Sequence, residues 1–192
     1  MTDKRILKTR KCLKDALIGL TAEKPVEKIT VKEICERANT GRVTFYTYYQ
    51  DKYDLLAECF WDAQQRIAEA FRTAQKETNP DNDLSLGIQN LIVSILDATK
   101  DYPLHLDQLR NSPDILLMYY QFIMLSMGQF DQFFDNRIQY RYDRERLHSF
   151  LVLGLLGFIH GTPNTDPEKL RAQLRMLVDD LLKSPIFSAA ET

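Results

Sequence analysis

Residues 29–56 read Ile29-Thr-Val-Lys-Glu-Ile-Cys-Glu-Arg-Ala-Asn-Thr-Gly-Arg-Val-Thr-Phe-Tyr-Thr-Tyr-Tyr-Gln-Asp-Lys-Tyr-Asp-Leu-Leu56. Thr30 with Glu33 three positions on is a capping box, so a helix starts here. Val31, Ile34, Cys35 and Ala38 fall on one face of that short helix. Asn39-Thr40-Gly41 then interrupts it: Asn tolerates the left-handed backbone of a tight turn, and Gly adopts it freely. A second short helix begins at Arg42. Two short helices across a turn of this length form a helix-turn-helix, whose second member can lie in a DNA major groove. The second helix is too short to stand alone, so Phe45 and Tyr49, four apart, are expected to anchor it. Arg42, Val43, Thr44, Tyr46, Thr47 and Tyr48 are left facing outwards. Hydroxyls and aromatic rings of this kind can donate to phosphates and pack on thymine methyls. An exposed helix of an ordinary bundle is the plainer alternative.

The charge outside this segment points the same way. Residues 1–52 hold twelve Lys/Arg and seven Asp/Glu, a surplus of five positive charges. The remainder holds thirteen and twenty, a deficit of seven, which brings the 192-residue chain to −2. A basic front on an acidic body suggests that the front meets a polyanion. Lys8, Arg10 and Lys11 near the start either approach the sugar-phosphate backbone or support the fold as a solvated face.

Apolar residues recur at helical spacing almost throughout, as in Ile88, Leu91, Ile92, Ile95 and Leu96. Ser112-Pro113 and Asp166-Pro167 mark two further helix starts. The spacing predicts helices near 5–23, 31–38, 42–48, 52–78, 84–100, 104–110, 113–135, 142–160 and 167–183, and no strand. The expected fold is all-α: an N-terminal three-helix DNA-binding domain, residues 1–52, joined by a long bridging helix to a helical bundle within 53–192.

Thr30 to Ala38, Arg42-Val-Thr-Phe-Tyr and Asp51-Lys-Tyr-Asp-Leu-Leu56 together resemble the DNA-binding domain of tetracycline-repressor (TetR) type bacterial regulators. The resemblance is specific over residues 5–60 and architectural beyond them. It implies a homodimeric transcription factor, usually a repressor, that binds an inverted-repeat operator in double-stranded DNA and is released by a small-molecule effector. It also implies residue roles. Thr30, Tyr46, Tyr48 and Lys52 would hold phosphate, while Arg42, Val43, Thr44 and Thr47 would face bases. The chain departs from the family pattern at Asn39, where a turn glycine is usual, and at Gly41, where Ser or Asn commonly caps. Tyr48 replaces a frequent His, and Thr47 and Gln50 stand where a basic residue is common. Fewer cations imply a smaller counterion-release contribution to binding. A relative that lost DNA binding and serves as a protein-interaction partner or coactivator is therefore the alternative.

In the acidic body, Met118, Phe122 and Met127 lie in a segment crowded with Met and aromatic residues, and Trp61 lies on the bridging helix. These four are candidate walls of an effector cavity, although such stripes also build plain cores. Residues 150–159 are apolar on every side, so both faces of that helix need cover. Phe150, Gly154, Gly157, Leu174, Leu177 and Leu181 are the expected dimer contacts, with the glycines allowing close helix approach. A wholly internal core helix would also satisfy the pattern.

Several classes lack support. Cys12, Cys35 and Cys59 are odd in number and widely spaced, which argues against a disulfide scaffold or a thiolate zinc site. His105, His148 and His160 lack metal-ligand spacing, and no phosphate loop or nucleophile elbow occurs, so no metal, cofactor or enzymatic role is expected. The longest apolar run covers ten residues against the roughly 20 of a membrane span. Without a signal-peptide pattern either, a cytoplasmic location and no membrane partner are expected.

Overall fold

In the computed structural model, which describes residues 4–101, 117, 118, 120, 121, 123, 124, 138–160 and 166–189, helix α1 spans Lys4–Thr21. Its buried Leu13, Ala16, Leu17 and Leu20 repeat at helical spacing and make one inward stripe. A 3-10 turn, Val26–Lys28, leads to α2, Val31–Arg37, and then to α3, Arg42–Tyr48. The long α4 covers Lys52–Thr78. Its start is fixed by Asp51, whose carboxylate accepts from the backbone N–H of Tyr53 (2.8 Å) and Asp54 (3.0 Å).

The chain forms two compact units. The first holds the residues up to Gln64 together with 99–101; the second holds 65–98 and the described residues from Leu117 onward. A division at residue 52 was expected, at the start of α4. Packing carries the first unit twelve positions further because Leu55, Leu56, Cys59 and Phe60 of α4 are buried with Leu13, Leu17, Ile29, Ile34 and Phe45. Burying a large apolar side chain completely contributes about 1.5–3 kcal/mol, so these residues hold the short helices in place.

The second unit contains the rest of α4, then α5 (Leu84–Asp101) as far as Ala98, α6 (Arg144–His160) and α7 (Pro167–Lys183). The Asn79–Asn82 turn is built around the buried Asn79 amide, which donates to Gln75 Oε1 (3.0 Å) and the Asp83 carbonyl (2.8 Å). Ile92, Leu174 and Val178 form a buried cluster, with Leu155 of α6 packed against it. Asp166 caps α7 by accepting from Glu168 N–H, with Pro167 in the first turn. The positions described between 117 and 124 are helical. The expected helix 104–110 lies outside the described residues.

The fold is all-α in its working parts, with one addition. Ile138–Tyr140 pairs antiparallel with Phe187–Ala189, Ile138 opposite Ala189. Three-residue strands are too short for a period-two alternation to register in a sequence, which is why none was expected. Among the described residues, no helix is long and apolar enough to cross a membrane.

Candidate nucleic-acid interface

The turn between α2 and α3 is decided by a few backbone angles. Thr30 caps α2 with both halves of the capping box formed: Glu33 N–H donates to the Thr30 hydroxyl (3.3 Å), and Thr30 N–H donates to Glu33 Oε2 (2.9 Å). Asn39 takes the left-handed conformation, φ 48°. Thr40 N–H closes the turn on the Cys35 carbonyl at 2.9 Å. Gly41 is extended, φ −73° and ψ 146°, and caps α3 without a side-chain hydrogen bond. Of the two residues suited to the turn, Asn39 alone supplies the left-handed step.

Phe45 is buried completely and Tyr49 almost so, their rings 5.6 Å apart. With both held inside, the other face of α3 is fixed outward. Arg42 is exposed and makes no ion pair among the described residues. Val43 is 85% exposed and Tyr46 52%, levels that fold packing does not explain for an apolar and an aromatic side chain. Thr47 is exposed with its hydroxyl turned back to the Val43 carbonyl (3.0 Å), and Thr44 and Tyr48 are half-buried. Thr47 can therefore offer a methyl group readily, but its hydroxyl only after rotation.

Lys52 reaches the carbonyl of the residue before Thr30. Lys52 Nζ donates to the carbonyls of Glu27 and Ile29, both at 2.8 Å, and lies 5.2 Å from the Tyr53 ring centre. Burial holds its pKa below the ordinary lysine value, against the opposing pull of Glu27, Asp51 and Glu33. Lys52 thus closes the loop before α2 onto the start of α4, with one N–H donor left over. The Thr30 hydroxyl also donates to Glu33 Oε2 at 2.8 Å, so the cap engages it fully.

The cationic front is thinner than a count of residues implies. Arg10 bonds Glu58, Lys14 bonds Glu58 and Asp62, and Lys11 bonds Asp15. Lys24 bonds Glu33, Lys32 lies 3.7 Å from Glu36, and Arg37 bonds Glu23. Sequence reasoning left Arg10 open between backbone contact and support; in the structure its guanidinium bonds Glu58 and Tyr49. A signal was present. Arg10 and Lys14 stand four apart on α1, and Glu58 and Asp62 four apart on α4, two complementary ladders.

Elsewhere, α6 exposes Phe150 (65%), Leu153 (50%), Gly154, Gly157 and Phe158 (39%), a stripe at i, i+3, i+4, i+7 and i+8. A side-chain carbon added at Gly154 or Gly157 would meet nothing within 4 Å. Leu174, expected at the same interface, is corrected: it is 0% exposed, sealed in its own core against Ile92 and Val178. Leu177 and Leu181 are half-buried. Of the expected cavity residues, Trp61 is about half exposed and Met118 part-buried, while Phe122 and Met127 lie outside the described residues. No group of three or more potential metal ligands occurs among the described residues.

A capped helix, a left-handed asparagine and a second helix with a solvent-facing polar edge define a helix-turn-helix of the DNA-reading kind. Residues 14–59 match the family model of bacterial regulatory proteins, tetR family, so this segment is similar to the corresponding part of those regulators. Over 58 residues it is 33% identical to the uncharacterized HTH-type transcriptional regulator YxbF of Bacillus subtilis strain 168. That match covers 30% of this chain and only 15% of the relative's length. Whole-chain likeness comes from solved structures. A putative TetR-family transcriptional regulator from Syntrophomonas wolfei superimposes with a TM-score of 0.70 at 15% identity, covering 96% of this chain and 98% of its own. The dihydroxyacetone kinase operon activator DhaS gives 0.55 at 20% identity, over 94% and 98%. At such identities the likeness concerns the fold alone.

Proposed function

We propose that the protein is a cytoplasmic, homodimeric transcriptional repressor that binds an inverted-repeat operator through α3 and is released by a small-molecule effector. The outward face of α3 carries this reading: Arg42, Val43 and Tyr46 are exposed, and the buried Phe45 and Tyr49 hold them so. Arg42 has the geometry to bond a guanine edge bidentately, and Val43, Thr44 and Thr47 offer methyl groups to thymine. Tyr46, Tyr48 and the remaining N–H of Lys52 face phosphate, with Thr30 contributing through the edge of its cap. A second copy seated on the α6 stripe, with Leu177 and Leu181 at its margin, would supply the second reading helix that an inverted repeat needs. The Met and aromatic residues at 118–134 in the sequence favour an apolar effector.

Sequencing the genomic fragments that the purified protein retains tests this reading. A shared inverted repeat is the expected result, and retention of no duplex at low salt overturns it. A second reading, a coactivator with weak DNA binding, is favoured by one observation: six cations of the amino-terminal segment are already paired with carboxylates. Binding that needs a second protein would select it.

A further inference from the structure

We propose that Tyr49, held by Glu58, is a positioning residue for the recognition helix, and that Arg10 belongs to this clamp rather than to the DNA contact; the binding consequence rests on the reading of α3 given above. Helix α3 is seven residues long and has no stability of its own. Phe45 fixes its middle by apolar burial, and Tyr49, its C-cap, fixes its end. A single buried ring would leave the helix free to rotate about that point. The second attachment, one turn further along the same face, removes this freedom and sets the direction of Arg42, Val43 and Tyr46.

The end attachment is directional. The Tyr49 hydroxyl donates to Glu58 Oε2 at 2.7 Å, and Arg10 Nη2 donates to the same oxygen at 2.5 Å. Arg10 Nε donates to the Tyr49 hydroxyl oxygen (3.3 Å), and its guanidinium lies 5.9 Å from the centre of the Tyr49 ring. Lys14 Nζ occupies the other Glu58 oxygen at 3.0 Å. Burial disfavours the Glu58 charge, but hydrogen bonds from Arg10, Tyr49 and Lys14 outweigh it and hold its pKa below the ordinary carboxylate value. One ionised carboxylate thus joins α1, the end of α3 and the first turns of α4. Moving Arg10 to a phosphate would remove one of the two cations that neutralise Glu58, so the guanidinium stays where it is.

The test uses full-length Tyr49→Phe, which keeps the buried ring and deletes only the hydroxyl, with Glu58→Gln and Arg10→Gln alongside. Amide hydrogen exchange without DNA reads the clamp directly. Tyr49→Phe is expected to speed exchange over residues 45–49 about tenfold by loss of one hydrogen bond, with α1 and the core of α4 unchanged. Unchanged exchange in α3 overturns the clamp whether or not the protein binds DNA. Anisotropy titrations on the retained genomic fragment and on an unrelated duplex read the consequence, at a temperature where circular dichroism shows every variant folded. Affinity for the retained fragment is expected to fall about tenfold in Tyr49→Phe and Glu58→Gln, and that for the unrelated duplex less than twofold. Equal losses on both duplexes overturn the positioning role. A salt slope reduced by about one in Arg10→Gln makes Arg10 a phosphate contact and overturns its place in the clamp. A wild-type protein that binds no duplex refutes the DNA-binding function, while the exchange result still decides the clamp.

Discussion

Among the described residues, α3 and α6 each leave a face open, and the chemistry of the two is opposite. Helix α3 shows a guanidinium, a phenol, hydroxyls and the methyl groups of Val43. Helix α6 shows Phe150, Leu153 and Phe158 around two glycines, with no polar group in the stripe. A mixed polar face gains little from burial alone but can match donors and acceptors on a base edge. A purely apolar stripe has nothing to match and gains only by leaving water, which suits a copy of itself. The contrast extends to how each face is held. The first stands over a network of charged and aromatic anchors; the second lies over Ile92, Leu174 and Val178. Recognition needs a helix fixed in rotation, whereas association needs mainly a smooth surface.

The largest expected effect breaks the apolar face. Gly157→Glu adds a carboxylate where a side chain meets nothing within 4 Å in the single chain. Replacing glycine inside a helix favours the helix by roughly 0.5–1 kcal/mol, so the monomer is expected to stay folded. In a dimer the same charge would be desolvated without a partner, a cost of about 3–5 kcal/mol. Sedimentation velocity is expected to show a wild-type dimer at micromolar concentration and a monomeric variant with native circular dichroism. A monomeric wild type, or a variant that dimerises equally well, would undo the assignment of this face.

A smaller effect divides the polar face. Arg42→Ala is expected to cost about 1–3 kcal/mol on the preferred operator and little on random duplex, flattening discrimination at one base pair. Lys52→Ala is expected to weaken all sequences alike and lower the salt slope. Because Lys52 also bonds the Glu27 and Ile29 carbonyls, thermal unfolding is expected to show a further loss of about 1 kcal/mol in stability. Arg42→Ala lowering specific and random binding together would reverse its role.

The two faces were unequally legible in the sequence. Local rules sufficed for the helix-turn-helix. The Thr30 and Glu33 cap, the Asn39 turn and the Phe45–Tyr49 pair each declare themselves within four residues, and all are found in place. Partnerships between distant charges were not legible. Arg10 and Glu58 lie 48 positions apart, and a surplus of cations looks the same whether paired or free. The same limit misplaced Leu174. Helix α7 has apolar residues on neighbouring positions, and periodicity shows which side of a helix is apolar without showing what covers it. Only packing distinguishes Leu174, buried against Ile92, from half-buried Leu177.

Acid acts on the polar unit through the cap. The Glu33 carboxyl is lowered from the ordinary 4.5 to about 2, chiefly by Lys24 and then by the Thr30 N–H and hydroxyl. A carboxylate whose folded pKa is depressed stabilises the fold above its unfolded pKa and loses that contribution as pH falls through the folded value. The window here is from about 4.5 down to about 2. Glu33→Gln can keep the hydrogen bonds of the capping box while removing the charge. Its midpoint of thermal unfolding is expected to fall less than that of the wild type between pH 5 and pH 2.5. Equal falls would assign the acid sensitivity to other carboxylates, with Glu58 first among them, since its pKa is also depressed.

The smallest effects lie in the turn itself and separate its two unusual residues. Asn39 holds φ 48°, where a residue with a Cβ is strained and Asn is the best tolerated after glycine. Asn39→Ala is expected to cost about 1 kcal/mol and Asn39→Gly to be neutral or slightly stabilising. Gly41 is the reverse case. Its φ of −73° and ψ of 146° suit any residue, and a Cβ there would meet only Thr44 Oγ1, at 3.9 Å. Serine at this position would accept from the first-turn N–H groups of α3, which no side chain caps at present. Gly41→Ser is therefore expected to stabilise by a few tenths of a kcal/mol, a rise of about 1–3 °C in a unit of this size. Neither change touches α6, so self-association measured by sedimentation is expected to stay the same. A Gly41→Ser variant less stable than the wild type would mean that the glycine is needed for its backbone, and that the left-handed step of the turn is not Asn39's alone.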